Sequence, residues 1–198
     1  HKCIERIRRG LLARFADHVF VLDPAFLPFC ARADARVVSF GAKEGGRTST
    51  ANLDAIRSLT ERVDKVILIA GQDGGKYMAF MRITELHELF AGFGQKVGFV
   101  TAGMADNRRF NDAIEADLLR IVEPNIREKD LVGLVDYVYR ENTDISMPYT
   151  IYAAATAGIP VLTREGNILA KIVRREQIGL SIEDMDGALD QDFDFAGF

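Results

Sequence analysis

The chain is 198 residues long, 48% apolar and 27% charged, with a net charge of −4. That balance suits one globular domain with a full core, or one domain plus part of another. It gives no support for general nucleic-acid binding, which usually leaves a basic footprint.

Cys3 and Cys30 are the two cysteines. They form neither a metal-ligand spacing nor a disulfide framework, so a reducing cytoplasm is the default compartment. No apolar run approaches the roughly 18 residues of a spanning helix. The sequence starts at His1 without a methionine, and a fragment of a longer protein is expected.

Residues 2–15 place Ile4, Ile7, Leu11 and Leu12 near helical period, with Arg6, Arg8, Arg9 and Arg14 among them. This reads as a helix with a solvated basic face, and peripheral contact with anionic lipid is the functional alternative. Residues 17–22 (DHVFVL) read as a strand, 23–33 as a short helix opened by Asp23-Pro24, and 35–40 as a further strand. Residues 42–50 (AKEGGRTST) have the composition of a linker, which sets a domain boundary at 46/47. Thr50 is the expected cap of a helix over 51–61.

Residues 65–70 (KVILIA) give the strongest strand signal, a continuous apolar run of the kind buried on both faces of a sheet. The run ends in Gly71-Gln72-Asp73-Gly74-Gly75-Lys76, and a helix is expected over 77–90. A glycine-rich turn with a cation at a helix start suits a diphosphate, because the backbone can approach the oxygens while the cation neutralises them. Neither a G-x-x-x-x-G-K-[ST] loop nor a G-x-G-x-x-G fingerprint is present. Lys76 is therefore a candidate phosphate contact with Gly71, Gln72 and Gly75 around it, and also reads as an ordinary solvent lysine in a tight turn.

Arg82 reads as a surface or salt-bridging residue. His87, between Glu85 and Glu88, reads as a solvated or locally paired histidine without a metal partner. A strand over 96–102 leads to Gly103, on the side of the sheet where open α/β folds bind ligands. A helix over 106–116, a strand over 117–122, a helix over 127–134 and a strand over 135–139 follow. Residues 140–146 (RENTDIS) read as a hydrophilic loop from which Glu141, Asn142 and Asp144 can reach sugar hydroxyls.

Pro148 opens an alanine-rich helix over 149–157, stopped by Gly158. Residues 159–162 (IPVL) are a strand, Thr163 is a cap candidate for a helix over 165–176, and 178–182 is the last strand. The alternation predicts an α/β fold with a mostly parallel sheet of about six strands and helices on both faces.

The run P-Y-T-I-Y-A-A-A-T-A-G-I-P-V from Pro148, followed by A-K-I-V and I-G-L-S, resembles the donor-binding half of the GT-B glycosyltransferases. Their pattern there is roughly P-x-K-[LI]-x-E-x-[LM]-A-x-G-x-P-V. The resemblance implies a Rossmann-like nucleotide-sugar domain over residues 47–198. Residues 1–46 would then be the end of the acceptor-side N-terminal domain and the crossing linker. It also implies that the helix start at Pro148, Tyr149 and Thr150 faces a nucleotide diphosphate, where first-turn N–H groups and the helix dipole favour an anion.

Two positions depart from the pattern. Thr150 stands where the family has a basic residue, and Ala153 where many retaining members place an acid on the donor ribose. Galactofuranosyltransferase-like and adhesin-glucosylating members also lack that acid.

The implied activity moves a sugar from a nucleotide-sugar donor to a glycan, lipid-linked or protein acceptor. The nucleotide sugar is a substrate, no cofactor or metal is implied, and no catalytic side chain is assigned. The expected setting is the cytoplasm, or the inner membrane surface if the basic helix meets lipid, and a homo-oligomer is compatible with the sequence. Two other readings compete. One is a degenerate transferase-like partner subunit that binds protein or glycan. The other is a flavodoxin-like regulatory module, which calls for an acidic phospho-acceptor at a strand end, and no single aspartate stands out as one.

Overall fold

The computed structural model describes residues 18–21, 24–30, 34–37, 47–69, 79–102, 109–121, 126–142, 148–185, 193 and 195. The chain divides into two compact units, His1–Gly41 and Ala42–Phe198.

In the first unit, β1 (Phe20–Val21) and β2 (Arg36–Val37) pair in parallel, Phe20 opposite Arg36 and Val21 opposite Val37. Between them Pro24–Phe29 forms a 3-10 helix rather than the expected longer helix. Pro28 lies inside it and has no N–H to offer an α-helical ladder.

The second unit is built on a six-stranded sheet. Its elements in chain order are α1 (Thr50–Thr60), β3 (Lys65–Ile69), α2 (Ile83–Gly92), β4 (Val97–Ala102), α3 (Asp112–Ala116), β5 (Leu118–Ile121), β6 (Tyr137–Tyr139), α4 (Tyr149–Thr156), β7 (Val161–Thr163), α5 (Ile168–Arg175) and β8 (Gly179–Ser181). The strand order is β5-β4-β3-β6-β7-β8 and every pair is parallel. The expected parallel α/β sheet, Rossmann-like in its strand order, is therefore present.

The strand order explains how both faces are covered. Crossovers between parallel strands are right-handed. The steps β3→β4→β5 run one way along the sheet and β6→β7→β8 the other, so the same handedness puts their helices on opposite faces. On the first face, Ile83, Leu86 and Phe90 of α2 and Ile114 of α3 pack with Ile67, Ile69, Phe99, Tyr137 and Tyr139. Strand residues of opposite parity, such as Val66, Leu68 and Val138, face the other way and are equally buried. That side takes Ile56 and Leu59 of α1, Ile151, Ala154 and Ala155 of α4, and the apolar stripe of α5.

Two glycines are set by close approach. A Cβ on Gly98 would come 2.9 Å from the Leu59 side chain, and one on Gly179 would come 1.9 Å from the Val161 carbonyl oxygen. The second contact is with backbone and cannot be relieved by a rotamer change.

Helix starts differ from expectation in instructive ways. The cap of α1 is Ser49, whose hydroxyl accepts from the Asn52 N–H at 3.3 Å, and Thr50 is the first helical residue. The cap of α5 is Asn167, accepting from the Ala170 N–H at 2.9 Å, whereas Thr163 is a fully buried end of β7. The helix expected over 127–134 is a 3-10 segment, Glu128–Leu131, and α2 is preceded by a 3-10 turn, Ala79–Arg82. The buried Thr48 ties the start of the second unit to that first 3-10 segment. Its N–H donates to Asp130 Oδ2 at 2.9 Å, and its hydroxyl accepts from the Arg127 N–H at 3.0 Å.

Candidate functional site

The sheet reverses its strand order between β3 and β6. In open α/β sheets this reversal leaves a crevice outside the carboxyl ends of the two strands, because their connections depart to opposite faces. The site is therefore sought where β3 ends at Ile69 and β6 ends at Tyr139. A cavity of ≈ 230 Å³ opens at the amino ends of the same strands, beside Thr60, Asp64, Gly133 and Asp136. It lies at the opposite end of these strands from the helix starts that follow them.

Gly71, Gln72, Gly75 and Lys76, which follow β3, lie outside the described residues, as does Gly103 after β4. The segment leaving β6 is described as far as Asn142. It differs from the hydrophilic loop the sequence suggests, because Arg140, Glu141 and Asn142 are all buried.

Glu141 is held from two sides. Arg82 reaches it with two nitrogens, Nε to Oε2 at 2.8 Å and Nη2 to Oε1 at 3.3 Å, and the buried Tyr139 hydroxyl donates to Oε2 at 2.9 Å. Burial pushes the Glu141 carboxyl up, but the bonds from Arg82 and Tyr139 outweigh it and hold the group below its usual range. The same contacts act in reverse on the donors. Arg82 is raised, chiefly by its bond to Glu141, and the Tyr139 hydroxyl is raised by burial and by the carboxylate beside it. Glu141 is thus an ionised, buried acceptor at neutral pH.

The contacts continue as a row of alternating charge. Arg82 also donates to Glu85 at 3.2 Å, Glu85 takes Arg164 at 2.8 Å, and Arg164 reaches Glu183 at 3.3 Å. Glu141 follows β6, Arg82 and Glu85 stand at the start of α2, Arg164 follows β7, and Glu183 follows β8. One ionic row therefore laces the chain segments beyond the carboxyl ends of three strands.

Pro148 caps α4 with extended backbone (φ −74°, ψ 137°) and gives no side-chain cap bond, in contrast to Ser49, Asn111 and Asn167 on α1, α3 and α5. Its carbonyl accepts from the Ile151 N–H at 3.2 Å. The first-turn residues Tyr149 and Thr150 are exposed and half-buried, respectively. Ala153, at the family's acidic position, is half-buried beside the fully buried Ala154 and Ala155.

Of the candidate residues, Glu141, Asn142, Pro148, Tyr149 and Thr150 are described, and Asp144 lies outside the described residues. Sequence reasoning attached no site role to Tyr139, Arg82, Glu85, Arg164 or Glu183, although it read Arg82 as a salt-bridging residue. Arg82 and Glu141 are 59 positions apart, and Arg164 and Glu85 are 79 apart, so no local motif announces these two pairs. Among the described residues, no group of three or more His, Cys, Asp and Glu side chains is placed to hold a metal ion, and no helix is long and apolar enough to cross a membrane.

No protein-family profile and no curated protein sequence matches the chain. Solved structures do. Anabaena Alr3699/HepE in complex with UDP-glucose superposes with a TM-score of 0.63 at 15% identity, over 93% of this chain and 57% of that one. Sucrose-phosphate synthase (tll1590) from Thermosynechococcus elongatus gives 0.60 at 14% identity, over 95% of this chain and 53% of that one. The fold is that of a GT-B Rossmann-like domain. TarM matches at 0.60 and 12% identity, over 96% of this chain and 39% of that one. The chain thus spans about half the length of these GT-B glycosyltransferases. At such identities the match establishes the architecture alone.

Proposed function

We propose that this chain is the donor-binding part of a glycosyltransferase that moves a sugar from a nucleotide-sugar donor to a glycan, lipid-linked or protein acceptor. The observation that carries this reading is the strand reversal at β3 and β6, with the glycine-rich sequence ending in Lys76 following β3 and the α4 helix start following β6. Solved neighbours add support: the Alr3699/HepE structures are complexes with UDP-glucose, with UDP, and with UDP and glucose.

In this reading the diphosphate gains negative charge as the glycosidic bond breaks. The Lys76 ammonium and the first-turn amides of α4, at Tyr149 and Thr150, stabilise that charge electrostatically, and Pro148 brings no side-chain acceptor to compete for those amides. Gly71, Gln72, Gly75 and Gly103 would let the backbone lie close to the ligand. A second reading, a catalytically degenerate partner subunit, draws on Thr150 and Ala153 standing where the family pattern has charged residues.

Titration calorimetry of the complete chain with nucleoside diphosphates and their sugar conjugates separates the two. Lys76→Ala is expected to weaken binding by about ten- to a hundredfold, the loss of a charge-assisted contact of roughly 1.5–3 kcal/mol. Thr150→Lys is expected to tighten binding or leave it unchanged. If no nucleotide binds at millimolar concentration, and Lys76→Ala behaves like its parent, the partner-subunit reading replaces this one.

A further inference from the structure

We infer that Arg82 is a positioning residue of the proposed donor site. Acting through Glu141, it fixes the segment that leaves β6 against the segment that enters α2 after β3, on the two sides of the switch point. The inference rests on the donor-site reading above.

Its first support is the location of the guanidinium. Arg82 is the N-cap residue of α2, and its side chain makes no capping bond. Arg82 is also the last residue of the 3-10 turn Ala79–Arg82 that runs into α2, and Glu85 stands in the first turn of α2. From there its side chain reaches the buried carboxylate of Glu141 on a neighbouring connection.

The second support is rigidity. Two Arg82 nitrogens meet the two Glu141 oxygens, and a third nitrogen meets Glu85, so the guanidinium is held by carboxylates on both sides. Glu141 is held in turn by the Tyr139 hydroxyl. A two-pronged arginine–carboxylate pair fixes direction as well as distance. Glu141 is also only two residues beyond the end of β6, so fixing its side chain fixes the path of the backbone there. A ligand gripped from both connections needs them at constant spacing, and small misplacements at such sites cost affinity steeply.

The test compares the complete chain with Arg82→Gln and Arg82→Lys. UDP, GDP, ADP and dTDP are titrated well below the thermal midpoint of each protein, and the midpoints are measured without ligand. Arg120→Gln serves as control. It breaks a similar two-pronged pair, Arg120 with Glu115, on the α3–β5 unit away from the switch point.

The expected result is a loss of roughly ten- to a hundredfold in nucleotide affinity for Arg82→Gln. Arg82→Lys, which keeps the charge but not the fork, should fall between Arg82→Gln and the parent. Arg120→Gln should lower its midpoint yet bind as the parent does. If Arg82→Gln does not fold, Arg82→Lys carries the comparison, and parental affinity in that variant overturns the inference. Parental affinity in a folded Arg82→Gln protein with a lowered midpoint also overturns it, because the pair would then be structural only. That result leaves the donor-site reading standing. A parent that binds none of the four nucleotides removes the donor-site reading and this inference together.

Discussion

At the scale of single residues, the ionic pairs of the second unit differ in what they report. Glu115 accepts from two Arg120 nitrogens at 2.8 and 2.9 Å and from the Phe110 N–H at 2.8 Å. The bonds from Arg120, then the one from Phe110, lower its pKa from the ordinary 4.5 to about 2. A carboxylate depressed in the folded state contributes stability that is complete above its unfolded value and is lost as pH falls through the folded one. The Glu115 contribution should therefore fade between about pH 4.5 and about pH 2. Glu115→Gln should flatten the pH dependence of the urea midpoint over that interval and leave its slope near neutrality unchanged. An unaltered acid slope would show that the pair does not persist in solution. Glu141, also depressed but buried, loses its contribution in the same direction on acidification.

At the scale of elements, helix termini give a sharper check than helix interiors. The Ser49 hydroxyl caps α1, while Thr50 begins the helix and is exposed. Ser49→Ala should cost about 1 kcal/mol, the usual worth of such a cap, and Thr50→Ala should stay within roughly 0.5 kcal/mol of the parent. Chemical denaturation of both variants measures the difference, and equal losses would contradict the capping assignment. The order and parallel sense of the elements from α1 to β8 were legible in the sequence because apolar runs and breakers alternate cleanly there.

Caps were not legible. Thr48, Ser49 and Thr50 offer three hydroxyls in succession, and only the backbone path decides which one reaches the Asn52 N–H. Thr163 looked like a cap but is consumed by strand β7, so the role passes to Asn167 four residues later. The site was legible in the same uneven way. Pro148 was found at the start of α4 because proline has a local signature there. The burial of Glu141 and its pairing with Arg82 depend on β6 lying beside β3, which no local pattern states.

At the scale of the whole molecule, stability should concentrate in the middle of the sheet. β3 pairs with β4 on one side and β6 on the other, and Val66, Ile67, Leu68 and Ile69 are buried. Its amides should exchange only through global opening, while those of β5 and β8 at the two edges should also exchange by local fraying. Hydrogen exchange followed by mass spectrometry or NMR reads this directly, and β3 amides exchanging as fast as those of β5 would contradict the assigned strand order.

The strand reversal also sets a sequence of events in time. Neighbours β3, β4 and β5 follow one another along the chain, as do β6, β7 and β8, so each pair within a triplet closes over a single crossover. The pairing of Ile67 with Tyr137 instead closes a span of 70 residues. Distant closures cost more chain entropy and tend to come late in folding. The seam between the triplets is thus the joint whose closure costs the most chain entropy, and it is expected to form late. It is also the joint at which the proposed nucleotide crevice opens and across which Arg82 reaches Glu141. Interactions formed after the rate-limiting step slow unfolding without speeding folding. A nucleotide seated in that seam would therefore act as a late latch, lengthening the lifetime of the folded domain while leaving its rate of formation unchanged.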